Sequence, residues 1–252
     1  MKRSTLPAVL IALLALALPM LASATINGGG GPPPLDVNKD LTNRGPAAYD
    51  LAIVLQGLET LTNSFNGHTG GDKVGWFDAP STTTVGGNTV IHWQNFADGT
   101  DNQINNNQTI HVGFSTADGT HTIVDMYWTD IHGNRIPGSV VYDVSTGQTY
   151  KSGQLNWQWA NNFATAAQIS VSNVRYAVFP QPFPLAQLNG ENAELARALA
   201  TLTPDFVLGP GEQRSIALPA SVPQGSAVIT VYETSAPGTG ANLVNFVQTL
   251  AQ

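Results

Sequence analysis

Apolar and polar residues alternate in short stretches along most of this chain. The clearest stretch sets Leu155, Trp157 and Trp159 against the polar residues between them. A period of two predicts a strand with one buried face, and turns such as Gly86-Gly87-Asn88 predict the ends of strands. The predicted strands are 49–55, 89–96, 110–114, 124–128, 140–144, 154–159, 169–179, 214–218 and 227–233.

The alternation also predicts which side chains of each strand face the core. In the strand 110–114 we expect Ile110, Val112 and Phe114 to be buried and His111 to face solvent. In the strand 124–128 we expect Val124, Met126 and Trp128 to be buried.

About ten strands with this spacing favour an all-β fold, an antiparallel β-sandwich. The pattern resembles the immunoglobulin-like or fibronectin-like sandwiches of exported microbial proteins, although no motif names one family. Two organisations stay open: one elaborated sandwich, or two small ones over 35–145 and 146–252. In the second case the boundary would fall near 145–153.

One short helix is expected among the strands, over Asn192–Leu202. Leu195, Leu199 and Leu202 share one face of it. Asn189 or Asn192 is suited to cap its start, and Pro204 ends it. The C-terminal stretch 241–251 has apolar residues near helical spacing, but an edge strand fits it equally well.

The N-terminal 24 residues have the pattern of a secretory signal peptide. Lys2 and Arg3 precede an apolar run, and Ala22-Ser23-Ala24 supplies the small residues of a cleavage site. The stretch 25–34 is a Gly/Pro-rich arm, which is either a disordered leader, or else a tether or a strand lent to a neighbouring subunit. We therefore expect a secreted protein, extracellular or at the cell surface, with the periplasm as an alternative and no membrane span after cleavage.

Composition narrows the possible partners and chemistry. Hydrophobic residues make up 42% of the chain, enough for a core, and charged residues only 11%. The net charge of −7 offers no basic surface, so nucleic acid is not an expected partner. The absence of cysteine excludes disulfides and thiolate metal sites.

Two histidines form the first candidate metal site. A hairpin across 97–108 would make His92 and His111 cross-strand neighbours, and Asp125 or Asp130 would complete a zinc or copper site. The alternative is a pair of ordinary surface histidines, because a slip of one residue places them on opposite faces.

An oxygen-rich loop forms the second candidate metal site. Asp98, Asp101 and Asn102 supply the kind of oxygen ligands that calcium takes, so Ca²⁺ is the cofactor that this loop would hold. The alternative is a turn whose Asp and Asn side chains cap their own backbone. A weaker match at 36–40 lacks the glycine of a calcium loop, which Leu41 replaces.

Aromatic and acidic residues suggest two further activities. Trp76 is the tryptophan expected to be exposed, and an exposed indole stacks on sugar rings, whereas Trp128, Trp157 and Trp159 belong to the predicted core. The carboxylates that flank aromatic residues are the candidates for glycoside hydrolysis; they are Asp125, Asp130, Asp143 and Glu233.

No motif of a known catalytic class occurs in the chain, which makes an enzyme the weakest of three hypotheses. The first is a secreted non-catalytic structural or adhesion protein, a matrix or filament subunit that forms homo-oligomers through its N-terminal arm or its edge strands. The alternative is a module that binds a glycan or another extracellular polymer. The third is a secreted hydrolase.

Overall fold

A computed structural model describes most of the chain after residue 34. The described residues are 35–65, 77, 79–94, 103–117, 121–141, 143–151, 154–162, 168–219, 221–236 and 242–251. Trp76 and the loop with Asp98, Asp101 and Asn102 lie outside them. Strands dominate this part of the chain, and all their pairings are antiparallel, which confirms the predicted all-β, sandwich-like fold. The immunoglobulin-like detail stays a prediction.

The largest sheet contains the first and the last strand of the described chain. Its members are β1 (Leu35–Thr42), β3 (Leu61–Phe65), β6 (Thr109–Thr116), β11 (Ile169–Phe179), β12 (Ala200–Thr201), β13 (Phe206–Leu208), β15 (Ala227–Ser235) and β16 (Asn242–Leu250). Their order is β12-β11-β15-β16-β1-β6-β3, and β13 also pairs with β11. The two terminal strands are therefore neighbours in the interior of the sheet.

Two smaller sheets complete the strands. The five-stranded sheet has β2 (Asp50–Leu55), β4 (Ser81–Val85), β5 (Asn88–Trp93), β7 (Ile123–Thr129) and β8 (Arg135–Val140), in the order β4-β5-β2-β7-β8. The three-stranded sheet has β9 (Ser145–Lys151), β10 (Gln154–Ala160) and β14 (Gln213–Ala217), in the order β14-β10-β9.

One apolar core draws side chains from all three sheets. Val37 and Val247 come from the large sheet, Ile53 from the five-stranded sheet, and Trp157 and Trp159 from the three-stranded sheet. Both tryptophans of β10 are fully buried, and Trp128 is nearly so, which confirms the predicted core positions. The described residues from 35 to 251 belong to one compact unit.

A second apolar layer covers the opposite face of the large sheet. This layer contains a 3-10 turn (Leu185–Gln187), its C-cap Leu188 and the helix α1 (Ala193–Ala198). Leu185, Leu188 and Leu195 of these elements pack against Phe246 of β16. Because of this cover, His111 on that face of β6 is only 6% exposed. The prediction that His111 faces solvent is wrong, since a period of two cannot distinguish a wet face from a covered one.

Four other predictions need correction. The predicted strand 140–144 is not formed, because β8 ends at Val140 and β9 begins at Ser145. The helix ends at Ala198 instead of 202, because the next residues form β12 and pair with β11. Residues 242–250 form neither a helix nor an edge strand but the interior strand β16. A bulge between β2 and β7 sets Leu55 opposite Ile123, so Ile123 is buried where Val124 was expected to be.

None of the helices in the described part of the chain is long and apolar enough to cross a membrane.

Candidate functional site

A lysine occupies a core position in the first strand. Leu35, Val37, Lys39 and Leu41 share one face of β1, and the three apolar residues belong to the main core. The side chain of Lys39 is only 2% exposed. A buried ammonium group is costly unless it is paired and hydrogen-bonded, so this position depends on the partners of Lys39.

The partners of Lys39 come from the last strand and from the segment between β8 and β9. Asn245 lies directly opposite Lys39 in the register of β1 and β16, and it is fully buried. Asp143, also fully buried, follows the end of β8. Residues far apart in the chain thus meet in one apolar core.

The four polar side chains of this cluster are connected by hydrogen bonds. Lys39 Nζ donates to a carboxylate oxygen of Asp143, and it donates to Asn245 Oδ1 at 2.6 Å. Thr234 Oγ1 donates to the other oxygen of Asp143 at 3.3 Å and accepts a bond from Asn245 Nδ2 at 3.4 Å. The amide oxygen of Asn245 is therefore turned toward the lysine, and its nitrogen toward the threonine.

Two buried titratable side chains, Tyr232 and His121, lie near the cluster. Tyr232 lies opposite Asn245 on β15, and burial together with the nearby Asp143 raises the pKa of its hydroxyl well above the usual value. Burial, with a smaller contribution from Lys39, lowers the pKa of His121 to about 3. His121 is therefore neutral at physiological pH and packs edge-on against Phe114 at 5.3 Å.

The opposite face of β1 carries a second set of polar side chains, which fasten the covering layer. Asn38 Nδ2 donates to the carbonyl oxygens of Leu185 and Leu188, at 2.5 and 2.8 Å. Asp40 pairs with His111 of β6. The residues that resembled a weak calcium loop in the sequence are thus side chains of one strand.

The histidines predicted as a metal pair lie in different sheets. His92 is on β5, which pairs with β2 and β4, whereas His111 is on β6, which pairs with β1 and β3. The expected hairpin between them is therefore not formed. His92 Nε2 is 3.2 Å from the hydroxyl of Thr83. Nowhere in the described chain are three or more His, Asp or Glu side chains grouped so that they could hold a metal ion.

The candidate carboxylates have four different surroundings. Asp125 forms a two-pronged ion pair with Arg135, at 2.6 and 3.2 Å. Asp130 caps a turn, and backbone N–H groups, first that of Asn134, lower its pKa. Glu233 accepts a hydrogen bond from Asn173. Asp143 alone is buried, in the cluster described above.

The outer face of the five-stranded sheet carries a shallow groove of about 450 Å³. Its lining combines Val85, His92 and Tyr127 with the Asp125–Arg135 pair. The guanidinium of Arg135 lies over the Tyr127 ring, 4.6 Å from its centre. One face of this ring is therefore covered by the guanidinium, and the charged groups of the Asp125–Arg135 pair stand beside the ring in the groove.

No protein family, curated protein or solved structure matches this chain.

Sequence reasoning missed Lys39 and Asn245, although both leave a signal in the pattern. Lys39 stands where the alternation of β1 calls for an apolar residue, and Asn245 stands between Leu243 and Val247 in the same way. Neither residue alone points to a site. Only the pairing of β1 with β16 brings them together.

Proposed function

We propose that this chain is a secreted, non-catalytic structural or adhesion protein that assembles with copies of itself through an exposed sheet edge. The observation that supports this proposal is β4, the outermost strand of the five-stranded sheet. All five of its side chains are exposed, and none is charged. Monomeric proteins usually protect such an edge with charges, proline or a bulge.

The backbone of β4 is suited to pairing with another strand. Gly86 and Gly87 have φ of +58° and +83°, the left-handed values of a tight two-residue hairpin turn that joins β4 to β5. In such a hairpin the residues beside the turn bond each other, and bonded pairs alternate along the strands. Thr82 and Thr84 therefore direct their N–H and C=O groups outward, where a strand of a second copy would bond them.

Export is part of the proposal and rests on residues 1–24, with their positive start, apolar run and small-residue end. A low content of charged residues fits a protein that associates with its own kind, since like charges on both copies oppose association.

The test is the particle mass of the chain from residue 25 onward, measured by light scattering over a range of concentrations. We expect large species that grow with concentration, and smaller ones for the double variant Thr82→Lys/Thr84→Lys. The control adds the same two charges outside any strand, as Gln181→Lys/Ala186→Lys, both at exposed positions. A wild-type monomer at every concentration would refute assembly, and equal particle sizes for both variants would refute the role of β4.

A second candidate function, binding of an extracellular polymer such as a glycan, is favoured by the groove with Tyr127 and Arg135. Its test is retardation in gels that contain a polysaccharide. We expect Tyr127→Ala to abolish retardation, and Tyr49→Ala to preserve it, because Tyr49 lies outside the groove and bonds Gln103. Unretarded wild-type protein across a panel of polysaccharides would end this candidate.

A further inference from the structure

We propose that Lys39 and Asn245 become joined by an amide bond between their side chains, formed with the help of Asp143. The bond would link the first and the last strand of the large sheet covalently. The inference concerns a modification within one chain, so it does not depend on how copies of the protein assemble.

The two reacting groups are held together by the fold itself. Lys39 and Asn245 are direct cross-strand partners on the core face, where opposite side chains are neighbours. Lys39 Nζ lies 2.6 Å from Asn245 Oδ1 and so beside the carbonyl carbon that carries this oxygen. Groups fixed in contact react far faster than groups that must meet by diffusion.

Asp143 supplies the acid and base that the reaction needs. A lysine attacks a carbonyl carbon only as the neutral amine, and the carboxylate of Asp143 contacts Nζ directly. Passing a proton from Nζ to Asp143 leaves both groups uncharged. In a dry core this state avoids the cost of burying two ions.

The surroundings exclude water, which would otherwise compete. Lys39, Asp143 and Asn245 are each at most 2% exposed. The ring of Tyr232 and the apolar residues Val37, Leu41 and Val247 belong to the core around them.

The reaction balances without any other reactant. The lone pair of the neutral Nζ forms a bond to Cγ of Asn245, and the Cγ–Nδ2 bond breaks with its electrons going to Nδ2. Nζ gives up a second proton, which Asp143 relays to the leaving nitrogen, so that ammonia departs. The products are a secondary amide, one ammonia molecule and a protonated Asp143, and nothing is oxidised or reduced.

Thr234 is a positioning residue in this scheme. Its hydroxyl accepts a bond from Nδ2 of Asn245 and donates one to Asp143. It therefore holds the amide with its oxygen toward the lysine and places the leaving nitrogen near the acid.

A buried ion pair alone explains the cluster less well. Replacing such a pair with apolar residues is often neutral or stabilising, so its presence in a core asks for a further reason. The amide removes both the ammonium group and the carboxylate charge from the core, and it keeps the strands joined when the rest unfolds.

The first test is the intact mass of the purified, denatured chain. We expect the wild-type protein to be lighter than its sequence by one ammonia molecule. Lys39→Met and Asp143→Asn should each have the full calculated mass, and the control Asp125→Asn, which removes a carboxylate at the surface, should show the wild-type loss. All four proteins share one N-terminus, so processing cancels in the comparison.

The second test locates the bond. Trypsin cleaves after free lysine but not after an acylated one. We expect a branched peptide that joins the stretch ending at Arg44, uncut after Lys39, to residues 215–252. On a denaturing gel the wild-type chain should also run faster than Lys39→Met, because the bond closes a loop between residues 206 positions apart.

Wild-type protein with the full sequence mass and with normal cleavage after Lys39 would overturn the proposal, whatever the variants do. A loss of ammonia that persists in folded Asp143→Asn, with folding checked by circular dichroism, would overturn the role of Asp143. Neither result depends on particle mass, so failure here is distinguishable from failure of the proposed assembly.

Discussion

Gly113 should be one of the least replaceable residues of the large sheet. It lies on β6 opposite Asn38 of β1. A Cβ atom added to Gly113 would be 1.5 Å from Asn38 Oδ1 and 3.0 Å from the carbonyl oxygen of Val37. Gly113→Ala therefore displaces the side chain of Asn38 from its place against the covering layer.

The size of the effect follows from the hydrogen bonds that Asn38 would lose. The carbonyl oxygen of Leu185 retains the N–H of Leu188 as a donor, so losing its bond to Asn38 costs about 1 kcal/mol. The carbonyl of Leu188 would be left buried without Asn38, at about 1–3 kcal/mol. We expect Gly113→Ala to lower the free energy of unfolding by about 2–4 kcal/mol in total.

A double-mutant cycle measured by urea unfolding tests this reasoning. Asn38→Ala removes the same bonds, so we expect it to cost a similar amount. In that background Gly113→Ala has no amide to displace. The contact of 3.0 Å with the carbonyl oxygen of Val37 remains, and it opposes the preference of a strand for alanine over glycine, which is about 0.5–1 kcal/mol. The cost of Gly113→Ala should therefore fall to near zero. An equal cost of Gly113→Ala in both backgrounds would refute the proposed contact.

Three further predictions concern pH, a helix cap and a turn. The pKa of His121 is about 3 in the folded protein, against the ordinary histidine value of 6.5 that an unfolded chain restores, so the unfolded state binds more protons as the pH falls. The free energy of unfolding should therefore drop by about 2 kcal/mol between pH 7 and pH 5 on account of this group, and His121→Phe should remove that part of the dependence. Asn192→Ala removes the acceptor for the N–H groups of Glu194 and Leu195 and should cost about 1 kcal/mol in urea unfolding. Gly87→Ala places a side chain at φ +83° and should cost about 1–2 kcal/mol, seen as a lower melting temperature. An unchanged unfolding curve for either of these two variants would contradict the geometry of that cap or turn.

Eight of the sixteen strands in the described chain lie at predicted positions, because their signal is local. The stretch 169–179 is β11 to the residue, and the tryptophans of β10 are buried as the alternation requires. A cap of α1 by Asn189 or Asn192 was also predicted, since a cap depends only on the neighbouring backbone, and Asn192 is the residue that forms it. The length of α1 was predicted wrongly, because the residues after α1 form the edge strand β12, which pairs with β11.

Predictions that depended on which strands pair, or on which segments cover a sheet, were wrong. The proposed pairing of His92 with His111 assumed that strands close in sequence also pair in space. In the structure β5, which carries His92, pairs with β2, and β6, which carries His111, pairs with β1. The two histidines therefore lie in different sheets. The burial of His111 likewise depends on the cover formed by residues 185–195. The sequence of β6 contains no signal that predicts this cover.

Lys39 shows how the two kinds of information combine. On the buried face of a strand, a lysine is unfavourable unless it has a buried partner. That partner is a group of opposite charge or a polar group that accepts its hydrogen bonds. The same argument applied to β16 singles out Asn245, whose neighbours on that face are Leu243 and Val247. A polar residue at a buried position in each of two strands predicts that the strands are neighbours, because each polar group can then hydrogen-bond the other. The pairing of β1 with β16 meets that condition. With the carboxylate of Asp143 beside them, Lys39 and Asn245 have the groups that the proposed amide bond requires.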